Sequence, residues 1–551
     1  IDTIICLRDQ VHMFASGADQ YQWSNRSTGN AYEPSPIIDS KYWVVGTDNT
    51  TQCKDTAKYN VSGGGVYSVC FNSFGLTVRN CAITNDTPAA GLSETLGGGA
   101  YLSGGTHSNC VFIGNRIMNR ASNAGYLGNG GGLYLVGSSD RPVALCDSLV
   151  SGNSTHGAGG GVGLGNYAVL SGCTIVSNTI SHGVSHGLYQ PGGVGVFANG
   201  SYSCIENSLI AENVAVTNAE NKSISAGAIG ANDAFNLTIR DCVIRDNLLQ
   251  NAGALSCISA GGLLVTNCVM CGNCVSGEVS AVRFYTNQSD LEKAAPSIIT
   301  DCFIVSNRMV RSTALLNGGG LIAYGGDQAG KGYYAAPLIV RNFLFADNRG
   351  KNGCRGWGVR VNVADTALSV DGKENALLFD HCTFVTNFNE SNYSQFVAHQ
   401  KARGATNTTF TGCVFYGNRY SNGGAKLAGF FDGDFTCLKS YSDKTDNVFT
   451  VTEENGNLTG EGVNFVDPEN FDFRLQPSSI LVDKGGAFDD WMGTGRRKSV
   501  QDLGGGYVIG SVGKYGVTVS RPDSNPRRYG AASDIGCCEF GKFRGIILLV
   551  Y

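Results

Sequence analysis

Along most of this chain apolar and polar residues alternate in short bursts, and the bursts return at a spacing of roughly 30 residues. Alternation with a period of two predicts strands that turn one face into a core, and its regular return predicts a repeat architecture rather than a string of globular domains. Eleven segments share one order: apolar, two residues, a position that is usually Cys, one residue, apolar, two residues, Asn. Leu170-Ser171-Gly172-Cys173-Thr174-Ile175-Val176-Ser177-Asn178 and Phe379-Asp380-His381-Cys382-Thr383-Phe384-Val385-Thr386-Asn387 are two of them.

The central position is Cys81, Cys110, Ser148, Cys173, Ser208, Cys242, Cys268, Cys302, Phe343, Cys382 and Cys413. Five residues later stand Asp86, Asn115, Asn153, Asn178, Asn213, Asn247, Asn273, Asn307, Asn348, Asn387 and Asn418. Just before the central position come Asn80, Asn109, Asp147, Gly172, Asn207 and their equivalents, residue types that tolerate positive φ. A strand, a bend through the left-handed region and a second strand make the corner of a β-helix. Glycine runs such as Gly97-Gly98-Gly99, Gly130-Gly131-Gly132, Gly159-Gly160-Gly161 and Gly318-Gly319-Gly320 keep the same spacing and precede further alternating residues.

The expected fold is therefore all-β, a right-handed parallel β-helix with three short strands per coil and variable loops absorbing the uneven lengths. Coils stacked at about 4.8 Å place like residues above like. The Asn column is expected to bond from coil to coil, and the Cys column to act as small buried hydrophobes. The expected organisation is an N-terminal cap over 1–60 with Trp23 and Trp43, repeats over 61–420, and last coils with a C-terminal cap over 421–551.

Glycine is 77 of 551 residues without a period of three, and 42% of the chain is hydrophobic, which excludes both a collagen-like and a disordered chain. A net charge of -5 with no basic run makes nucleic acid an unexpected partner. No run approaches the roughly 20 apolar residues of a membrane-crossing helix. The sequence opens at Ile1 without a leader-like segment, so it is read as a mature or trimmed part of a longer precursor.

Candidate chemistry is sparse. Of 20 cysteines, eight sit in the ladder, and disulfides are left to residues such as Cys6, Cys53, Cys70, Cys257, Cys354 and Cys437. Cys268, Cys271 and Cys274 have the spacing of a metal run, but no second cluster completes four ligands, so no metal is expected. Glycoside hydrolysis needs carboxylates about 5–9.5 Å apart, and uronate lyases need a basic residue, often with Ca²⁺ held by acidic groups. Asp489-Asp490 is the lone acidic pair considered, and it stands outside the repeats. Arg521-Pro522 with Arg527 and Arg528, the trio His156, His182 and His186, and Trp357 complete the candidates. None makes a catalytic set, and no cofactor is expected, since Ca²⁺ has no motif here. Sequons at Asn25, Asn60, Asn153, Asn236 and Asn407 follow from an Asn-, Ser- and Thr-rich composition.

The Gly-Gly openings and the closings Phe112-Ile113-Gly114-Asn115, Phe345-Ala346-Asp347-Asn348, Phe384-Val385-Thr386-Asn387 and Phe415-Tyr416-Gly417-Asn418 resemble the repeats of polymorphic outer membrane proteins. Phe465-Val466-Asp467-Pro468, Phe473-Arg474-Leu475-Gln476-Pro477 and Asp534-Ile535-Gly536-Cys537-Cys538-Glu539 resemble the end of bacterial pectate-lyase-like proteins with a C-terminal sorting anchor. Together the resemblances cover roughly 61–540. They imply a bacterial secreted or cell-surface β-helix, structural or adhesive, that meets a glycan or other surface ligand. Two further readings stand beside it: a lyase or hydrolase of acidic polysaccharide, and end-to-end self-association into a surface fibre.

Overall fold

The chain is a right-handed parallel β-helix, seen in a computed structural model. The described residues are the coils between 96 and 485, without the loops 120–128, 182–191, 217–225, 287–296, 312–319, 326–337, 351–357, 364–376, 391–395, 400–407 and 421–430 and a few shorter breaks. Residues 18–32 and isolated strands before 86 and after 507 complete them. Two compact units are distinguished: Ile1–Thr238, Asp246–Asn251 and Val512–Val517 form the first, and Ile239–Arg245, Ala252–Ser511 and Thr518–Tyr551 the second.

In the first unit one coil runs through the strands Val143–Cys146, Leu149–Ser151, Ser154–Thr155 and Val162–Leu164. Each pairs in parallel with its counterpart in the next coil, Val143 with Ala168, Leu149 with Thr174, Ser154 with Thr179 and Val162 with Val196. The coil thus holds four strands where the sequence pattern suggested three. The last two share one sheet, because the chain continues past the ladder Asn as a short extended piece before it reaches the glycine run.

Two bends per coil use the left-handed region. The first lies at Asn109, Asp147, Gly172 and Asn207 in the first unit, and at Asp241, Asn267, Asp301, Asn342, His381 and Gly412 in the second. The second bend falls on the residue before each ladder Asn: Gly114, Gly152, Ser177, Glu212 and Asp246, then Gly272, Ser306, Asp347, Thr386 and Gly417. Between them a three-residue strand sends only its middle residue inward. Phe112, Val150, Ile175 and Ile210 form that column in the first unit, all fully buried. In the second unit the same column becomes aromatic, with Phe384 and Phe415 stacked at 5.0 Å and 3°. Phe379 and Phe410 stack at 4.6 Å on the adjoining sheet.

Before the first coils the chain is antiparallel: Gln20–Trp23 pairs with Ser40–Thr47, which pairs with Lys54–Ser62, which pairs with Gly65–Val69. Only then does Gly65–Val69 join Ala100–Ser103 in parallel. Trp23 is fully buried there and its indole N–H donates to the Gly29 carbonyl at 2.8 Å. In the second unit the antiparallel hairpin Phe465–Asp467 and Asp472–Leu475 follows the last coils, with Phe465 edge-on to Tyr416. The flanks of the three-residue strands are covered as well: Val269, Phe303, Leu344 and Val414 are apolar and buried although their neighbours Met270, Ile304, Phe345 and Phe415 fill the core.

Candidate functional site

The Asn column is a continuous hydrogen-bonded ladder within each unit. Within the ladder Asn153, Asn178, Asn213, Asn307, Asn348 and Asn387 use their side chains in both directions. The Asn178 amide donates to Asn213 Oδ1 and to the Val150 carbonyl, both at 3.0 Å, while Asn178 Oδ1 accepts from the backbone N–H and side-chain amide of Asn153. The same bonds link Asn115 to Asn153 and Asn213 to Asn247, and in the second unit Asn273, Asn307, Asn348, Asn387 and Asn418. The pattern needs a carbonyl and an NH₂ on one plane, which Ser and Asp lack, held at the reach of Asn, which the longer Gln exceeds; Asp86 is the one departure in the column. Asn153, a sequon residue, lies fully buried in the ladder, whereas Asn25 and Asn236 are exposed.

The Cys column is also structural, and it is more than apolar filling. Cys173 Sγ donates to the Leu145 carbonyl one coil earlier at 3.3 Å, and Cys382, Cys413 and Cys302 make the same bond to Val340, Phe379 and Val265. Cys268 reaches back to Ile239, while Cys110 and Cys242 donate to carbonyls two residues before them. Ser148 and Ser208 occupy the same column, and their hydroxyls accept from the backbone of Cys110 and Cys173. The position therefore favours a small side chain with a donor, with Phe343 the one exception in the column. Burial pushes the Cys173 and Cys268 thiols far up and Cys257 up to about 12, so these sulfurs are poor nucleophiles. Cys257 and Cys437, two of the residues set aside for bridges, are free thiols; Cys81 with Asp86, and Cys6, Cys53, Cys70 and Cys354, lie outside the described residues.

The remaining candidates do not assemble. Cys268 points into the core, Cys271 flanks it on the opposite strand face and Cys274 belongs to the next strand; among the described residues no three metal-ligating side chains come together. His182, His186, Trp357, Asp489, Asp490, Arg521, Arg527 and Arg528 lie outside the described residues. Asp380 and His381 look like an acid–base pair, with His381 Nδ1 2.6 Å from Asp380 Oδ1 and Arg341 Nε 2.9 Å from Asp380 Oδ2. All three are buried at the corner, His381 completely and beneath Gly412, so they lock a bend and cannot meet a substrate.

What faces solvent in register is a line of arginines that motif reading missed. The residue after each ladder Asn forms its own column, and in the second unit it reads Cys274, Arg308, Arg349, Phe388 and Arg419 on successive coils. The three arginines are exposed and Phe388 is half-buried between Arg349 and Arg419. Asp347 Oδ1 lies 3.7 Å from Arg349 and its other oxygen accepts from Ser306, whereas Arg308 and Arg419 form no ion pair among the described residues. Like charges about 5 Å apart in water repel by about 0.8 kcal/mol, and stacked like charges disfavour sheet pairing. Beyond the Asp347–Arg349 pair, the fold gains little from stacking these charges. A polyanion laid along the coil axis would gain from them.

A second outward column, half-buried at Tyr167 and exposed at Tyr202, lies in the first unit, where the chain enters the strands Ala168–Ser171 and Cys204–Glu206. Tyr167 and Tyr202 stack there, centroids 5.1 Å apart and planes 11° from parallel. Both have left-handed backbones, φ 49° and 61°, and Asn236 has φ 55° at the same bend one coil on. The left-handed region costs a bulky residue about 1–2 kcal/mol, against about 0.5–1.5 kcal/mol from one aromatic stack. Two tyrosines therefore cost more backbone strain than their contact returns, where Asn or Gly would cost less.

No family model matches the chain, and no curated protein matches it. Solved structures that match include the pectate lyase Pel9A, at 11% identity over 86% of this chain and 97% of that one, with a TM-score of 0.36. The family 28 exopolygalacturonase of Yersinia enterocolitica matches at 8% identity over 80% and 98%, TM-score 0.20. The catalytic domain of a GH87 alpha-1,3-glucanase matches at 10% over 82% and 90%, TM-score 0.21. These neighbours are parallel β-helix enzymes, and no residue role is carried from them.

Proposed function

We propose that this protein is an extracellular or cell-surface β-helix that holds an acidic polysaccharide along its second unit. The observation that carries the reading is the arginine column, Arg308, Arg349 and Arg419 with Phe388 among them, exposed and in register. Charges repeated along the coil axis suit a polymer with a carboxylate on each sugar, and Phe388 offers a surface for a sugar ring. Surface display, drawn from the resemblance to outer membrane protein repeats and sorting-anchor β-helices, belongs to the same proposal, as does an adhesive role.

The second reading is cleavage of that polysaccharide. Its support is that the arginines of the column can pair with and neutralise the uronate carboxylate, which acidifies the proton beside it. The experiment is affinity electrophoresis of the full chain through polygalacturonate, alginate and neutral dextran at several salt concentrations. The same mixtures, with and without Ca²⁺, are assayed for new reducing ends and unsaturated products. Retardation by a polyuronate that weakens with salt, and is lost in the triple variant Arg308→Ala, Arg349→Ala, Arg419→Ala, supports the binding reading. Product formation selects the enzyme. Equal mobility in all three polymers refutes both.

A further inference from the structure

We propose that Tyr167 and Tyr202 form a second glycan site, distinct from the arginine column, that stacks a neutral pyranose on the exposed end of the pair. Tyr202 remains 55% exposed although Tyr167 covers one of its faces. On the coil beyond it the same bend carries Asn236, a short exposed amide that leaves the second face of Tyr202 open. On the coil before Tyr167, the register of Val143 with Ala168 puts exposed Pro142 in the same column. Ring, ring, ring and amide thus follow one another along the coil axis.

The backbone identifies the pair as something the fold does not need. Tyr167 and Tyr202 are bulky residues in a left-handed bend that the next coil makes with Asn236. The bend is fixed without their rings, by Tyr167 N–H to the Ser201 carbonyl at 3.0 Å, Tyr202 N–H to the Phe235 carbonyl at 2.9 Å and Ser201 N–H to Asn166 Oδ1 at 2.7 Å. The stack therefore follows from what it presents to solvent.

Sugar fits what it presents. A flat ring edged by amides and hydroxyls, here Asn166, Ser201 and Asn236, matches a pyranose, which has an apolar face of C–H groups and a rim of hydroxyls. Two rings are far too small an apolar area for a protein partner, which needs about 800 Å² on each side. The charges beside the column, Asp140 and Arg141, oppose each other at 3.8 Å, so the ligand selected is neutral.

The test titrates the full chain with cellohexaose, xylohexaose, mannohexaose and maltohexaose by calorimetry and by saturation-transfer NMR on the sugar protons. The variants are Tyr202→Ala, Tyr167→Ala and Tyr202→Asn, the last carrying the residue that the next coil uses at this bend. The expected result is that at least one oligosaccharide binds, that Tyr202→Ala and Tyr202→Asn each weaken it by about tenfold, and that Tyr167→Ala weakens it less. Tyr202→Asn is also expected to melt at or above the wild-type temperature, which separates a ligand role from a structural one. Binding to none of the four sugars, unchanged affinity in Tyr202→Asn, or a lower melting temperature of that variant overturns the proposal. Loss of polyuronate binding at the arginine column would leave these outcomes untouched, so the two sites fail independently.

Discussion

Replacing Asn307 is the sharpest probe of the ladder. Its Oδ1 accepts from the backbone N–H of Asn273 at 3.0 Å and from that residue's amide at 2.9 Å, and its own amide donates to Asn348 Oδ1 at 3.0 Å and to the Met270 carbonyl at 2.8 Å. Asn307→Ala removes all of these bonds in a fully buried site. At about 1 kcal/mol net for each, and with the Asn273 N–H left buried without an acceptor, the expected loss is about 4–6 kcal/mol. Asn307→Asp keeps the acceptor for Asn273 but turns oxygens toward Asn348 Oδ1 and the Met270 carbonyl. Burial and these facing oxygens disfavour the ionised carboxyl, so its folded pKa rises above the unfolded value of about 3.9. The sign follows: the aspartate variant is closest to wild type below that unfolded value and loses ground as pH rises through the folded one. Denaturant unfolding followed by circular dichroism, for wild type and both variants from about pH 3.5 to 8, measures this directly. A deficit under about 1 kcal/mol for Asn307→Ala, or an Asn307→Asp deficit that does not change with pH, would refute the ladder as a main source of stability.

Three more outcomes are expected. Cys173→Ser should be nearly neutral, because Ser148 and Ser208 fill the same column in neighbouring coils, while Cys173→Val should cost about 1–2 kcal/mol by losing the donor to Leu145; native-state thiol labelling should leave Cys173 unmodified until unfolding. His107, fully buried with Nε2 3.2 Å from the Gly104 carbonyl, has its pKa lowered to about 4 by burial. Only the unfolded chain takes up that proton between about pH 6.5 and 4, so stability should fall across this window by about 3 kcal/mol, and His107→Leu should flatten the fall when melting is followed against pH. Gly163 has the Tyr134 ring 2.5 Å from where a Cβ would stand, so Gly163→Ala should cost about 1–3 kcal/mol; the cost should shrink in a Tyr134→Ala background, and a double-mutant cycle with zero coupling would reject the contact.

The Asn ladder was legible in the sequence because its hydrogen-bond pattern strongly favours one side chain, so chemistry repeats even where loop lengths do not. Successive ladder residues are 25, 35 and 41 positions apart at Asn153, Asn178 and Asn307, yet each meets its partner. The first bend could also be read, since Asn, Asp and Gly concentrate where φ is positive. The second bend could not, because Ser177, Glu212 and Thr386 stand there beside glycines. Nor could the fourth strand, which the glycine run conceals.

The two outward columns proposed to meet glycans were the least visible. The arginine column stood in the sequence as the residue after each ladder Asn, a signal that aligning the repeats one place further would have found. Tyr167 and Tyr202 gave no such signal, since each lies in a loop whose length varies and only the register of Val169 with Cys204 brings them together. By itself the sequence determined the repeat, the inward columns and the side chains that lock them, because those are set by local geometry and by bonds that each coil remakes. Only the tertiary structure decided which outward residues share a line, because exposed positions carry no periodic constraint and become neighbours solely through the stacking of coils.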